Sequence, residues 1–412
     1  MNIDAIAEKA QNIIDRERAT DPEIRRILAH VKRFIQRNKV ICYGGTAINN
    51  ILPPKERFYD PNYDVPDYDF YSETPQIHAM KLADEFHKEG FANVEVKPGS
   101  HLLTYKVFVS YTGVADITYL EPAIFRRLWD EIVLEDIHYV SPNFLRMSMY
   151  LELSRPKGDV SRWSKVYRRL TLLNKYYPVG CKVSEEEKLH ELSQQSREDI
   201  ENILRTKQVI LLGLHATQLH ARSKTNVWEL PVDVLVTPEH YASYVTQFAD
   251  VFPNTVVKER PAYAELLPKH SDILDKESGH LLVRVFETMA CHSFHEANGI
   301  RVASIPTLLQ FFFAFVYADA HYLEGFNQNR IVCIAQRLID LASKSRRFEL
   351  LTPLDCLGHQ ESLTDIKAAT GELRAKTSKD SSDFLKFFFT YNPSQKTHKK
   401  SIREKLRKSM KH

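Results

Sequence analysis

Four segments in the second half of the chain repeat segments of the first half in the same order, at an offset near 165 residues. Ile200-Glu201-Asn202-Ile203-Leu204 through Gly213-Leu214-His215-Ala216-Thr217 echoes the order helix, strand, glycine, helix around Gly44. Leu230-Pro231-Val232-Asp233-Val234-Leu235 echoes Val65-Pro66-Asp67-Tyr68-Asp69-Phe70. Gly279-His280-Leu281-Leu282-Val283 echoes Gly99-Ser100-His101-Leu102-Leu103, and Ile300 to Pro306 echoes Ile137 to Pro142. Echoes that keep their order imply a duplicated fold. The copies differ in their acids. The first carries Asp67, Asp69 and Asp116; in the second Asp233 stands alone, and no acid replaces Asp116 near Met289-Ala290-Cys291. One equipped site and one degenerate site are expected.

A chain of 412 residues has room for two such domains. The expected divisions are a helical segment over 1–39, a first domain over 40–182, a second over 183–345 and a polar region over 346–412. Proline and glycine followed by an acidic run, Pro178 to Glu187, supply the central break. The most apolar run, Leu308 to Tyr317, is too short to span a bilayer and contains Gln310, so a buried helix and no membrane partner are expected. Met1 to Gln11 holds charges and no long apolar core, unlike a signal peptide. Cys42, Cys181, Cys291, Cys333 and Cys356 are scattered, odd in number and never in Cys-x-x-Cys spacing. That argues against a disulfide framework or zinc site and for a reducing compartment. The net charge of +3 implies no polyanion by itself, but Lys396 to His412 is dense in Lys and Arg with one acid, Glu404. Such a tail suits RNA phosphates, and equally a solvated end or a sorting signal.

Local patterns place the motifs on elements. Thr20-Asp21-Pro22-Glu23 is a helix start, and Ile24, Ile27, Leu28, Val31, Phe34 and Ile35 form the buried stripe behind it. Val40 to Tyr43 is an apolar strand broken by Gly44-Gly45, with a helix beginning near Thr46. A second strand covers Asp67 to Tyr71, and a helix runs from about Gln76 to Lys88, ending at Gly90. Leu102–Val109 and Val114–Leu120 flank a hairpin turn at Ser110-Tyr111-Thr112-Gly113, which puts Asp116 on the returning strand. Pro142 opens a further helix through Leu151. Beyond it Val160, Trp163, Val166, Tyr167, Leu170 and Leu173 share an apolar face, while Arg162, Lys165 and Arg169 share a basic one.

Carboxylates at i and i+2 of a strand project to one side. Asp67 and Asp69, with Asp116 on a neighbouring strand, therefore predict a site for Mg2+ or Mn2+, since hard cations take oxygen ligands and bind through a few carboxylates plus substrate phosphates. Three carboxylates allow two ions, in the manner of phosphoryl-transfer sites. Gly44 and Gly45 let backbone N–H groups approach phosphate oxygens, the helix start adds a favourable dipole, and the Thr46 hydroxyl is a further donor. Arg162 and Lys165 are candidates for the remaining phosphate charge. Each piece has a plainer reading: Gly-Gly as a turn, Asp-x-Asp as a strand edge or helix cap, Arg162 and Lys165 as the wet face of an amphipathic helix. The order and spacing of the pieces favour the site.

That arrangement resembles the nucleotidyltransferase superfamily. In detail Tyr43-Gly44-Gly45-Thr46-Ala47, Val65 to Tyr71 and Leu153 to Trp163 are similar to the poly(A) polymerase catalytic subunits of large DNA viruses, the giant-virus branch above all, over roughly the first 345 residues. The resemblance implies an α/β (α+β) fold of two tandem nucleotidyltransferase-like domains, mixed sheets with helices, the second degenerate. It implies Asp67, Asp69 and Asp116 as metal ligands, with Asp116 also taking the proton of the RNA 3′-hydroxyl. Gly44, Gly45 and Thr46 would lie at the ATP phosphates, with Arg162 and Lys165 as phosphate contacts. The implied partners are ATP and a single-stranded RNA 3′ end; the implied location is the virion and host cytoplasm. A homodimer, as in giant-virus members, and a separate stimulatory subunit, as in poxvirus ones, both stay open. So do two rival functions: another terminal nucleotidyl transfer, such as uridylylation or oligonucleotide synthesis, and a non-catalytic RNA-binding subunit.

Overall fold

The computed structural model describes residues 2–182, 191–221, 228–318, 328–344, 354–379 and 381–395. The basic stretch Lys396 to His412 lies outside them. The chain divides into two compact units. Unit 1 holds residues up to Ser141 together with 363–395, and unit 2 runs from Pro142 to Ser362.

Unit 1 opens with helices α1 (Ile3–Thr20) and α2 (Pro22–Arg37). The Asp21 carboxylate accepts from the backbone N–H groups of Glu23 and Ile24 at 2.7 and 3.0 Å, so the predicted start of α2 is a capped N-terminus. Ile27, Val31, Phe34 and Ile35 of its stripe are buried. Then come β1 (Ile41–Tyr43), α3 (Gly44–Ile51), β2 (Tyr68–Ser72), α4 (Pro75–Lys88), β3 (Glu95–Pro98), β4 (Thr104–Val109), β5 (Thr112–Tyr119), α5 (Pro122–Leu128), β6 (Ile132–Leu134) and β7 (Ile137–Tyr139). The seven strands form one mixed sheet in the order β3-β4-β5-β2-β1-β7-β6. The β4–β5 turn is tighter than the four-residue turn expected. Ser110 and Tyr111 alone make it, both at positive φ (48° and 66°), the twist a two-residue hairpin demands. Strand alternation gives the sheet two faces. Cys42, Phe70, Tyr105, Val107, Ala115 and Ile117 are buried on one, where α2 and α4 pack.

Unit 2 begins with α6 (Pro142–Leu153) and α7 (Trp163–Tyr176), followed by α8 (Gln194–Leu204), β8 (Val209–Leu211), α9 (Gly213–Ala221), β9 (Val232–Val236), α10 (Pro238–Ala249), β10 (Thr255–Arg260), β11 (His270–Asp275), β12 (Leu281–Glu287), β13 (His292–Ala297), β14 (Ile300–Ala303), α11 (Ile305–Tyr317), α12 (Gln328–Lys344) and β15 (Cys356–Leu357). Its sheet order is β10-β11-β12-β9-β8-β14-β13-β15. Apart from the extra edge strand β15, this is the order of the first sheet element for element. The duplication expected from the sequence is therefore present in the topology, in two α/β units of mixed sheet and helices.

Three expectations are corrected. The central division falls at Ser141–Pro142 and not near residue 182, because α6 and α7 pack within unit 2. Tyr150 stacks on Phe313 and Phe144 meets Tyr317 edge-on, both across from α11. The fully buried Arg146 ties α6 to α7 through Asn174 at 2.7 Å. Second, the polar C-terminal region contributes to the first fold. After α13 (Leu363–Lys376) and α14 (Ser382–Phe388), the buried Phe388, Phe389 and Tyr391 join the core of unit 1. Tyr391 pairs with Val96 on β3, and its hydroxyl donates to Asp84 at 2.6 Å. Third, four of the five cysteines are in disulfides, Cys181–Cys333 and Cys291–Cys356, 152 and 65 residues apart in sequence. Partners so distant leave no spacing signature, and the cysteine argument for a reducing compartment lapses. The apolar run is the buried helix α11. Among the described residues no helix is long and apolar enough to cross a membrane.

Candidate active site

The face of the first sheet turned away from α2 and α4 carries the candidate residues in one cross-strand row. Tyr43 on β1 is in register with Asp69 on β2, Asp69 with Asp116 on β5, and Asp116 with Lys106 on β4. Residues in register share a face, so the row runs Tyr43, Asp69, Asp116, Lys106. Asp67 stands just before β2, exposed, two positions from Asp69. A second row backs the first. Tyr43 stacks on Tyr71 with centroids 3.9 Å apart, the Tyr43 and Thr118 hydroxyls bond at 2.9 Å, and those of Thr118 and Thr104 at 3.0 Å. These contacts fix the strand ends beneath the carboxylates.

Gly44 has a stricter role than loop flexibility. Its φ is +72°, and a Cβ there would lie 2.5 Å from Asp69 Oδ2. The first turn of α3 thus approaches the carboxylate as closely as a chain without a side chain allows. Gly44 and Gly45 occupy the N-terminal turn of α3, where Tyr43 supplies no side-chain cap. Thr46 departs from expectation. It is buried, and its hydroxyl donates to the Asp67 carbonyl at 2.5 Å, so it positions the Asp67 strand entry instead of facing outward.

Asp69 and Asp116 are brought side by side, with Asp67 at the rim. Lys106 Nζ donates to Asp116 Oδ2 at 2.5 Å, with both side chains partly exposed. Among the described residues no three His, Cys, Asp or Glu side chains are closed on a single ion position. The donor set still fits magnesium or manganese: carboxylate oxygens alone, on adjacent strands in register, with Gly44 leaving room at Asp69. Arg162 and Lys165 belong to unit 2. Arg162 Nε is held by Glu152 Oε1 at 2.9 Å, and the half-buried Glu152 has its carboxyl raised by desolvation, with Arg162 opposing that shift. On α7 Val166, Leu170 and Leu173 are buried and Tyr167 is exposed, as is Val160 in the turn before it, which narrows the expected apolar face. Sequence reasoning missed Lys106. Its signal was available: a cation at an alternating position of Thr104-Tyr105-Lys106-Val107, on the same face as Asp116.

The second unit repeats the frame with other chemistry. Gly213 has φ +67°, and its Cβ would lie 2.5 Å from Asp233 Oδ2, so Asp233 is the counterpart of Asp69. This shifts the expected alignment by one residue and sets Pro231 opposite Asp67. Asp233 is in register with Arg284, and Arg284 with Asp272. Arg284 therefore stands where Asp116 stands, and Asp272 where Lys106 stands. The counterpart lies on β12 and not near Met289, because the echo at Gly279 precedes the equivalent of β5, one strand later than Gly99. Arg284 Nε bonds Asp272 Oδ1 at 3.0 Å and its Nη1 lies 4.0 Å from Asp233 Oδ1, while Arg260 takes the other Asp272 oxygen at 3.1 Å. Asp233, Asp272 and Arg284 are all buried. Burial raises the Asp233 carboxyl to about 6, with Arg284 opposing that shift. A guanidinium in a closed core has replaced the acid face.

The same strand order is thus present in tandem, with a solvent-facing acidic row on the first sheet and a buried ion pair at the matching register of the second. Residues 29–159 match the family model described as the poly(A) polymerase catalytic subunit. A mimivirus protein of that name is 33% identical over 161 residues, which cover 38% of this chain and 27% of the relative. One from African swine fever virus is 32% identical over 177 residues, covering 42% of this chain and 37% of the relative. The chain thus spans well under half the length of these relatives. The crystal structure of the Megavirus polyadenylate synthase superposes with a TM-score of 0.78 at 20% identity, over 99% of this chain and 88% of that one, a likeness of fold.

Proposed function

We propose that this chain is a template-independent RNA adenylyltransferase, adding AMP from ATP to RNA 3′ ends. The observation that carries the reading is the Asp69–Asp116 register beside the Gly44 turn, inside the segment that matches the poly(A) polymerase family model. Asp67, Asp69 and Asp116 would hold Mg2+ or Mn2+, which when bound supplies Lewis-acid activation and neutralises phosphate charge. The remaining work falls to the chain itself. The α3 N-terminal turn offers backbone N–H groups to phosphate oxygens. Thr46 fixes the strand entry that sets Asp67, and Tyr43, Tyr71, Thr118 and Thr104 hold the row rigid. In the proposed reaction the RNA 3′-oxygen bonds to the α-phosphorus of ATP as the bond to pyrophosphate breaks, and Asp116 is assigned the hydroxyl proton.

The test is extension of a labelled oligo-RNA with magnesium and each NTP in turn. Long tails with ATP and little incorporation of the other three are expected. Preferential UTP use would assign a uridylyl transfer instead, and no incorporation of any NTP would leave an RNA-binding subunit.

A further inference from the structure

We infer that Lys106 is an exchangeable counter-ion of Asp116: its ammonium holds the carboxylate while no divalent cation is bound, and must release it for the cation to bind. This rests on the reading of Asp116 as a metal ligand. Two independent observations carry it.

The first is the geometry of the live row. Asp69 and Asp116 are direct cross-strand neighbours, so their charges repel unless a cation lies close. Lys106 provides one at 2.5 Å from the Asp116 oxygen, from the strand on the far side. The pair is open to solvent, with side-chain exposures of 38% for Lys106 and 28% for Asp116. A point charge on a flexible four-carbon stem can swing away without disturbing the sheet.

The second is the equivalent pair in unit 2. There the same two register positions again hold a cation and an anion, Arg284 and Asp272, with the signs exchanged between strands. In that copy the pair is fully buried and Arg284 also faces Asp233, so its cation has no way out. A cross-strand ion pair is therefore retained at this register in both units. It is releasable where the carboxylates face solvent and locked where they do not. Lys106 acts as a positioning residue: it presets Asp116 and competes with the ion for it.

Direct Mn2+ binding, read from the electron paramagnetic resonance of the free ion without nucleotide or RNA, tests this on the full chain. Removing a charge at this distance in a half-exposed site should tighten Mn2+ binding about five- to tenfold in Lys106→Met. Lys106→Gln, which keeps a polar stem without the charge, should show the same gain, and Lys106→Arg should not. Adding Asp116→Asn to Lys106→Met should abolish the gain. Circular dichroism in EDTA confirms that each variant is folded. Mn2+ binding to Lys106→Met and Lys106→Gln that is unchanged, weaker or undetectable overturns the inference. The assay is separate from tailing: competition at Asp116 with no RNA extension would uphold Lys106 as counter-ion and reject the adenylyltransferase reading.

Discussion

The two units build one frame and fill it differently. In unit 1 a glycine at φ +72° meets Asp69, and the neighbouring strands present Asp116 and Lys106 to solvent. In unit 2 a glycine at φ +67° meets Asp233, and the neighbouring strands present Arg284 and Asp272 to a closed interior. The glycine contact survives in both, so it belongs to the architecture of the turn. The acids that could receive cations survive only in the first. A buried ion pair is weak evidence for net stability, yet removing one partner leaves an uncompensated charge. Identical topology can thus carry a site in one copy and a core in the other.

Breaking the closed copy should give the largest effect. Arg284→Met leaves Asp233 and Asp272 without their shared cation and should cost unit 2 about 3–5 kcal/mol, read by urea unfolding. The equivalent loss in the open copy, Lys106→Met, should cost under about 1 kcal/mol, since that pair is partly solvated. Next comes Asp233→Asn. Burial raises the Asp233 carboxyl from 3.8 to about 6, so in the folded state its ionised form is penalised. The penalty is full above about pH 6 and fades as the pH falls towards 3.8. Asp233→Asn should therefore be more stable than the parent at pH 8, by on the order of 3 kcal/mol at most, with the gap closing below pH 6. Urea midpoints across that range check it; a gap that grows on acidification would reverse the sign. A more modest effect than that of Asp233 is shared by both copies. Gly44→Ala and Gly213→Ala each force a side chain into positive φ at about 1–2 kcal/mol. Only the first should also slow RNA extension, because only there does the displaced carboxylate belong to the proposed site.

Much of this was legible in the sequence. Punctuation by Gly44-Gly45, the Asp21 cap and the alternation around Asp69 and Asp116 gave α2 and the strands β1, β2, β4 and β5, because those signals are local; β3, β6 and β7 were not read. The duplication was legible as order, but its register was not. A one-residue slip at Asp233 and a one-strand slip at Gly279 hid Arg284, since equivalence there is set by strand pairing and not by linear spacing. Lys106 was overlooked for the same reason: its partner is ten positions away in sequence and directly opposite in the sheet. The disulfides and the return of Phe388, Phe389 and Tyr391 to the first core are long-range contacts that no local pattern announces. The Phe-rich run from Phe384 to Phe389 was the one hint, and its setting among polar residues masked it.

The contrast between the two units is tested most directly by one paired measurement: extension of a labelled oligo-RNA with ATP and magnesium by Asp69→Asn and by Asp233→Asn. These change equivalent carboxylates, each against its own glycine turn. Tailing should fall about a hundred- to a thousandfold with Asp69→Asn, as for loss of a group stabilising transition-state charge, and stay at the parental rate with Asp233→Asn. Tailing that survives in folded Asp69→Asn, or that is lost in folded Asp233→Asn, would contradict it.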